Sequence, residues 1–243
     1  GYALTTAALS ATTGTFSGLI TSTVGNSSSI LTAATATTGY ILFSDIKNTG
    51  GRFQFGVDSS VGGQLATGST AYATVLTTVG TTPIILGTNS IPRITIDSAG
   101  AVTMPAQPAF LATANTQTDV TGDGTTYTVL FANEIFDQGS NFASNTFTAP
   151  VTGRYFLSAR ISFYGLLVGH TFQLFSIVTS NRSYRTLNSV ATNSFTENGM
   201  GVSVLADMDA GDTATVQLEI AGSTKVVDID AAAYTDFSGH LAC

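Results

Sequence analysis

The ten residues at 154–163 alternate in character, and this alternation constrains the fold more than any other part of the sequence. The odd positions, from Tyr155 onward, are all apolar, whereas the even positions carry four polar residues and Phe156. Successive side chains of a β-strand point to opposite faces of a sheet, so a period of two predicts a strand with one face in a core. No helical period competes with this pattern over a useful length of the chain.

Further strand patterns surround this one in the second half of the chain. Residues 127–131 and 213–220 alternate in the same way, and residues 171–178 are almost continuously apolar or aromatic. A continuous apolar run predicts a strand that is covered on both faces. Turn sequences separate these runs at 122–124, 150–153, 198–199 and 209–212. About eight to ten strands of this kind fit an antiparallel jelly roll, so we predict an all-β fold with a ten-stranded C-terminal jelly roll.

A shift in composition divides the chain near Pro105 and Pro108. The residues before it carry three basic and three acidic side chains, whereas those after it carry five basic and twelve acidic ones, which places the whole net charge of −7 in the second half. Of the aromatic residues, seven precede Phe110 and sixteen follow from it. Aromatic side chains dominate the burial of globular cores, so the second half is predicted to have a core of its own.

The first half is predicted to form β structure that a single chain can bury only in part. Residues 1–38 are rich in Thr, Ala, Ser and Gly, which favours a shaft or attachment segment in which three chains pack small side chains about one axis. A flexible linker is the alternative. Residues 39–107 hold five short strand candidates separated by glycine and aspartate turns, which predicts a small β-sandwich or β-prism. The predicted domains are 1–38, 39–107 and 108–243.

Two segments of the first half carry a resemblance to fibre proteins. Residues 87–102 (GTNSIPRITIDSAGAV) resemble a connector that is common in bacteriophage tail fibres and other virion fibres. The run ATTGTF at 11–16 is similar to the Thr/Gly-rich repeats of phage fibres. An ordinary strand–turn–strand is the alternative for 87–102. The resemblance implies that the first half is a fibrous or prism-like shaft.

A second resemblance covers residues 108–243. Residues 136–142 (FDQGSNF) and 146–155 (TFTAPVTGRY) are similar to the signature of the globular head of complement C1q. The chain also closes as that family does, on FSGHL at 237–241, and DAGDT at 209–213 stands where the family has a Gly-Asp turn. C1q heads share a trimeric jelly roll with tumour necrosis factor, so the resemblance implies a homotrimer.

The sequence also departs from the animal members of that family. The spacing between Phe142 and Phe147 is shorter, Leu157 and Ala159 stand where aromatic residues are usual, and no collagen-like Gly-x-y stalk precedes the head. These departures indicate a microbial or viral branch. No ligand-binding residue of an animal protein is therefore carried over to this chain.

The composition and motifs argue against several classes of function. A net charge of −7 argues against nucleic acid, and no run approaches the roughly 18 apolar residues of a membrane span. The single cysteine, Cys243, excludes an intrachain disulfide and a multi-cysteine zinc site; we expect a buried thiol there, with an intermolecular disulfide as the alternative. With no hydrolase, metalloprotease, phosphate-loop or C-x-x-C motif, and only His170 and His240, we predict no enzymatic activity and no cofactor.

Three polar features remain as candidate sites. The acidic runs at 119–123 and 207–212 offer oxygen ligands for calcium, but neither has a full twelve-residue loop, so solvated turns are favoured and no metal ligand is assigned. His240 is predicted to be a packed or interface residue of the last strand. The third feature is a ligand-contact loop, in which two guanidinium groups beside an aromatic ring could hold a sugar or an anionic glycan. Its residues are Arg182, Tyr184 and Arg185, and a solvated hairpin tip is the alternative.

The predicted protein is a non-enzymatic, trimeric bacteriophage fibre or spike on the virion surface. Its predicted partners are two further copies of the chain, other virion proteins bound through the N-terminal segment, and a glycan or protein of the host surface. A bacterial surface or spore-coat filament tip is one alternative. A polysaccharide-degrading spike is a second, weaker one, because such enzymes need paired carboxylates in a groove.

Overall fold

The computed structural model describes residues 42–189, 197–231 and 233–243, and every regular element in these ranges is a β-strand. The all-β prediction is confirmed for these residues, whereas the predicted segment 1–38 lies outside them. The chain divides into two compact units, Gly1–Ile84 and Ile85–Cys243. This division falls within the predicted segment 39–107, and the predicted domain bounds stay a prediction. Within the described ranges, no helix is long and apolar enough to cross a membrane.

The first unit contains an antiparallel sheet of three strands in the order β1-β2-β3. The strands are β1 (Leu42–Lys47), β2 (Arg52–Val57) and β3 (Thr74–Val79). Asn48 closes the first hairpin, because its side-chain Oδ1 accepts hydrogen bonds from the backbone N–H groups of Gly50 and Gly51, both at 2.9 Å. Leu65 and Val75 are the buried apolar residues of the described part of this unit.

A second sheet of three strands, in the order β4-β5-β6, follows along the chain. Its strands are β4 (Ile84–Thr88), β5 (Ile91–Ile96) and β6 (Val102–Thr103). Asn89 and Ser90 have positive φ angles of 53° and 61°, the conformation that a tight two-residue hairpin requires. One of the aspartate turns predicted within residues 39–107, at 97–100, is confirmed: Asp97 Oδ1 accepts hydrogen bonds from the backbone N–H groups of Ala99 and Ala101.

The remaining strands form two sheets. The strands are β7 (Ala109–Thr113), β8 (Gln117–Thr121), β9 (Thr126–Thr128), β10 (Asn133–Gln138), β11 (Phe142–Ala143), β12 (Thr146–Thr148), β13 (Gly153–Tyr164), β14 (Phe172–Thr179), β15 (Ser183–Ser189), β16 (Asn198–Met208), β17 (Thr213–Ala221), β18 (Val227–Ile229) and β19 (Asp236–Leu241). Seven strands pair in the order β10-β7-β19-β13-β18-β8, with β16 also on β13. Six pair in the order β11-β12-β17-β14-β15, with β9 on β17. The described ranges thus hold thirteen strands here rather than the predicted ten, and four of the thirteen (β9, β11, β12 and β18) are segments of only two or three residues.

The core lies between the two sheets and holds a cluster of phenylalanine rings among its aliphatic side chains. The predicted alternation on β13 is confirmed, since its odd positions from Tyr155 to Phe163 are all buried. Phe110 stacks on Phe142 and Phe147, with ring centroids 4.9 Å and 4.8 Å apart, and Phe237 meets the ring of Phe110 edge-on at 4.9 Å. Each phenylalanine side chain buried in this way contributes about 1.5–3 kcal/mol of transfer free energy.

The prediction that strand 171–178 is covered on both faces is wrong. Phe175 and Ile177 of β14 lie in the core, whereas Phe172, Leu174 and Val178 on the opposite face are only half-buried. The pattern misled because large apolar residues also occupy the outward face of this strand. That outward face is consequently available for contact.

Candidate functional site

The outward face of the seven-stranded sheet combines exposed apolar side chains with small or polar ones, and the register of its strands defines its rows. Two adjacent rows cross β10, β7, β19, β13 and β16, and we call them together the apolar face. Phe136, Phe156 and Leu205 on this face are 50%, 41% and 55% exposed. The first row holds Phe136, Leu111, Ser238, Ser158 and Ser203, and the second holds Gln138, Ala109, His240, Phe156 and Leu205.

One side of the apolar face is bordered by polar groups and an open depression. The row beyond Ser158 holds Arg160 and Asp236 opposite each other, and the guanidinium of Arg160 pairs with the carboxylate of Asp236. The depression has a volume of about 600 Å³, and Gly199 and Gly201 of β16 help to line it. Glycine within a strand leaves the backbone open to close approach, so this part of the face can admit another chain.

The outward face of the six-stranded sheet carries a small polar depression of about 110 Å³, which we call the polar pit. Ser176 is 4% exposed, and its short side chain lies between the longer side chains of Arg185 and Gln217 in one row across β15, β14 and β17. The next row places Leu174 beside Glu219. The complete lining is Thr126, Leu174, Ser176, Arg185, Gln217 and Glu219.

The predicted ligand-contact loop does not bring its three residues to one surface. Arg182 lies at the turn between β14 and β15, where its guanidinium pairs with Asp207 at 3.0 Å. Tyr184 points toward the core and packs against it, opposite Ile177. Arg185 points outward into the polar pit. Tyr184 and Arg185 are adjacent on a strand, so their side chains necessarily face opposite sides of the sheet. Contact of all three residues with a ligand stays a prediction.

Sequence reasoning did not find the polar pit. The alternation at 213–220 correctly placed Gln217 and Glu219 on an outward face. The missing information was which residues of β9, β14 and β15 lie beside them, because those strands are distant in the sequence. Register between strands carries that information, and no local pattern in the sequence states it.

The acidic runs proposed for calcium hold turns and an ion pair in this structure. Asp212 accepts hydrogen bonds from the Ser180 hydroxyl and the Asn181 side-chain amide, both at 2.7 Å, and the first of these is the main cause that lowers its pKa. Asp123 caps its own turn through the backbone N–H of Thr125 at 3.0 Å. Over the described ranges, no group of three or more His, Cys, Asp or Glu side chains is placed to hold a metal ion.

The two histidines and the cysteine lie in different environments. His170 is buried, where its Nδ1 accepts a hydrogen bond from the backbone N–H of Leu167 at 2.9 Å. His240 lies on the apolar face, with its ring centroid 5.6 Å from that of Phe156. The expectation of a buried thiol at Cys243 is wrong, because the residue lies beyond the last strand and is exposed, 4.0 Å from the Arg154 guanidinium.

The first unit is organised around a buried carboxylate that the sequence did not reveal. Asp58 is 1% exposed. Burial alone would raise its pKa, but hydrogen bonds from the Ser69 hydroxyl and from the backbone of Leu65, Ser59 and Gln64 outweigh burial and lower the pKa to about 2. These bonds tie the loop 59–73 to the end of β2.

One face of the three-stranded sheet in the first unit is apolar and open to solvent. The register aligns Ile46 with Phe53, and Phe55 with Leu76. Ile46, Phe55 and Leu76 are 60%, 44% and 56% exposed. Such a face is unusual for an isolated sheet of this size, which needs a covered apolar side for stability.

Comparisons with known proteins relate the second half of the chain to one family. Residues 109–242 match the family model described as the C1q domain. Among solved structures, the globular domain of zebrafish complement 1qA protein is 17% identical, with a TM-score of 0.39, and the match covers 56% of this chain and 98% of that chain. The structure of murine APRIL at pH 5.0 is 13% identical, with a TM-score of 0.40 and the same coverage. No curated protein matches this chain.

Proposed function

The chain belongs to the C1q domain family, and from that premise we propose that it is a non-enzymatic, trimeric fibre or spike of a bacteriophage. Heads of this family typically trimerise and are generally non-catalytic. The proposal places residues 108–243 as the head, residues 39–107 as a small β-sandwich or prism, and residues 1–38 as a shaft or attachment segment. The protein lies on the virion surface and contacts the host there.

The apolar face is the observation that carries the trimer. Phe136, Phe156 and Leu205 stand exposed on one side of a domain that already has a closed core. Exposed apolar patches of this kind mark interaction surfaces, and association of identical copies removes them from water. The serines between them, Ser158 and Ser238 among them, are small enough to allow close approach.

The fibre role is supported by the first half of the chain. Residues 87–102 resemble a connector of phage fibres, and residues 1–38 have the small-residue composition of a fibrous shaft. The exposed apolar side of the sheet in the first unit gives a second surface that three parallel chains would cover. In this proposal the N-terminal segment attaches the fibre to other virion proteins.

The carboxylates of the head fit a structural role better than a catalytic one. Asp207 pairs with Arg182, and Asp236 pairs with Arg160. Glu219 accepts a hydrogen bond from the Thr126 hydroxyl at 2.8 Å. The proposal therefore assigns no reaction to this protein.

Light scattering coupled to gel filtration tests the trimer. We expect the full chain to have three times the mass of one 24.9 kDa chain. Leu205→Arg places a charge on the apolar face and is expected to release single chains. Leu187→Arg is the matched control, because Leu187 is 65% exposed on the other sheet and its replacement should leave the mass unchanged. A single-chain mass for the unmodified protein at micromolar concentration contradicts the trimer.

Imaging of virions with a gold-labelled antibody against the head tests the fibre role. We expect label at the tips of fibres or spikes. Label on bacterial cell or spore surfaces, with none on phage particles, contradicts the fibre role but leaves the trimer standing.

A further inference from the structure

We propose that the polar pit binds an uncharged saccharide, with Arg185 as its principal hydrogen-bond donor. This inference rests on the proposed function, because it names the chemistry by which the head would hold a host surface. It concerns the outward face of the six-stranded sheet, which the proposed trimer does not use. A head can therefore bind its neighbours and a ligand at the same time.

The side chains that line the pit have hydrogen-bonding capacity that the fold leaves unused. Among the described residues, the Arg185 guanidinium, the Ser176 hydroxyl and the Gln217 amide have no intramolecular hydrogen-bond partner. Glu219 uses one carboxylate oxygen to accept the hydrogen bond from Thr126. A few polar groups that converge on one depression are a feature that ligand-binding sites share.

The mixture of donors and acceptors matches vicinal hydroxyl groups. Arg185 only donates hydrogen bonds, Glu219 only accepts them, and Ser176 and Gln217 do both. A sugar hydroxyl is itself both donor and acceptor, so a pair of neighbouring hydroxyls can satisfy this set. Arg185 and Glu219 together carry no net charge, and the Glu219 carboxylate would oppose an acidic sugar. An uncharged saccharide is therefore favoured over an anionic one.

The apolar neighbours of the pit complete the match. Leu174 and Leu187 face each other across β14 and β15 on the same outward side, and Leu187 is 65% exposed. The C–H side of a sugar ring is apolar and can pack on such leucines while the hydroxyls enter the pit. Specific polar groups beside an apolar surface are typical of small-ligand sites.

The size of the pit sets the strength of binding. Its volume of about 110 Å³ is smaller than the roughly 300–1,000 Å³ of enclosed ligand pockets. It can hold the hydroxyls of one sugar residue but cannot enclose a whole oligosaccharide. We therefore expect weak binding at each site, which a trimeric head would strengthen on a repetitive surface polymer through multivalency.

Saturation-transfer NMR on the full chain tests the site with defined probes. The uncharged probes are the methyl α-glycosides of glucose, galactose and mannose, and the charged probe is the methyl glycoside of glucuronic acid. We expect at least one uncharged glycoside to receive saturation. Arg185→Ala and Ser176→Val, which fills the pit, should each weaken that binding by about tenfold, the effect of losing a charged hydrogen bond or its space.

Arg182→Ala is the matched control, because Arg182 lies at the end of the same hairpin but outside the pit. It should leave glycoside binding unchanged, and unchanged melting temperatures show that the variants fold. The proposal is overturned if no uncharged glycoside binds, if the glucuronoside binds better, or if Arg182→Ala weakens binding as much as Arg185→Ala. If the unmodified protein is a trimer on fibre tips but binds no glycoside, the proposed saccharide site is refuted and the proposed function stands. Glycoside binding by a single-chain protein refutes the trimer alone.

Discussion

The head and the first unit use their apolar residues in opposite ways. Phe147 and Phe237 in the head are fully buried between the two sheets. In the first unit, Phe55 and Leu76 lie on an open sheet face and are about half exposed. Within residues 42–84 of the first unit, the buried side chain with the most hydrogen bonds is instead the carboxylate of Asp58.

The difference indicates how each region is stabilised. The head buries enough aromatic surface to close a core inside one chain. The described part of the first unit, residues 42–84, buries only Leu65 and Val75 among its apolar residues, and domains this small rarely supply enough core to be stable alone. In the first unit the loop is organised by polar contacts instead, and the proposed trimer would cover the open face with further copies.

Truncating one phenylalanine in each region gives the largest expected contrast. Phe237→Ala should lower the free energy of unfolding of the head by about 3–5 kcal/mol, because it leaves a cavity among Phe110, Phe131 and Phe142. Phe53→Ala, on the face of the first unit that the single chain leaves open, should lower the free energy of unfolding of that unit by less than about 1 kcal/mol unless further copies cover the face. Urea unfolding followed by circular dichroism, at one fixed protein concentration, measures both. Equal losses would show that the open face is buried as deeply as the core.

Adding one methyl group at a glycine gives a smaller contrast. Gly122 has φ +132°, and a Cβ there would lie well inside contact distance of the Thr224 carbonyl oxygen, whereas Gly63 has φ +73° and open space around it. Gly122→Ala should therefore cost about 3 kcal/mol, as strain and overpacking combine, and Gly63→Ala about 1 kcal/mol from strain alone. The thermal transition of each variant measures the cost. A larger loss at Gly63 would mean that other copies pack against that loop.

Sequence periodicity predicted which residues are buried on strands such as β13 and β17 of the head, but not which side chains meet on its surfaces. Alternation placed Tyr155 and Val216 in the core because a strand's period of two is local information. The same period, applied to Tyr184 and Arg185, separates the two side chains that the ligand-contact prediction had joined. The neighbours of Arg185 in the polar pit depend on the pairing of β15 with β14 and of β14 with β17, about thirty residues further along the chain, which no local pattern records.

The carboxylate of Asp58 escaped prediction for a related reason. Three of the four groups that donate to it, those of Ser59, Gln64 and Leu65, are backbone N–H groups. Every residue except proline carries such a donor, so the sequence gives no sign of it. The exposed position of Cys243 depends likewise on where the chain passes after β19, which its sequence neighbours do not determine.

Acid should affect the two regions unequally, with the larger effect in the first unit, where the carboxylate of Asp58 is buried. The pKa of Asp58 is lowered to about 2 in the folded protein from its ordinary 3.8, so the ionised form is the one that the fold stabilises. That stabilisation is complete above about pH 4 and is lost as the pH falls through 4 toward 2. Protonation removes the negative charge of the Asp58 carboxylate and so weakens the hydrogen bonds that it accepts from the N–H groups of Gln64 and Leu65. The loop 59–73 should therefore open first.

Hydrogen exchange read by mass spectrometry, corrected for the intrinsic rate at each pH, can follow this opening. Peptides from the loop 59–73 should lose protection between about pH 5 and about pH 2, whereas peptides from β13 and β17 should keep theirs, because those strands are held by an apolar core. Asp58→Asn is the matched variant: it cannot ionise, so its loop should already be less protected at about pH 5 and should respond little to acid. Equal loss of protection in loop and head, or an unchanged response in Asp58→Asn, would assign the acid sensitivity to other carboxylates. It would also remove the distinction between a core-stabilised head and a first unit that is held by one buried charge.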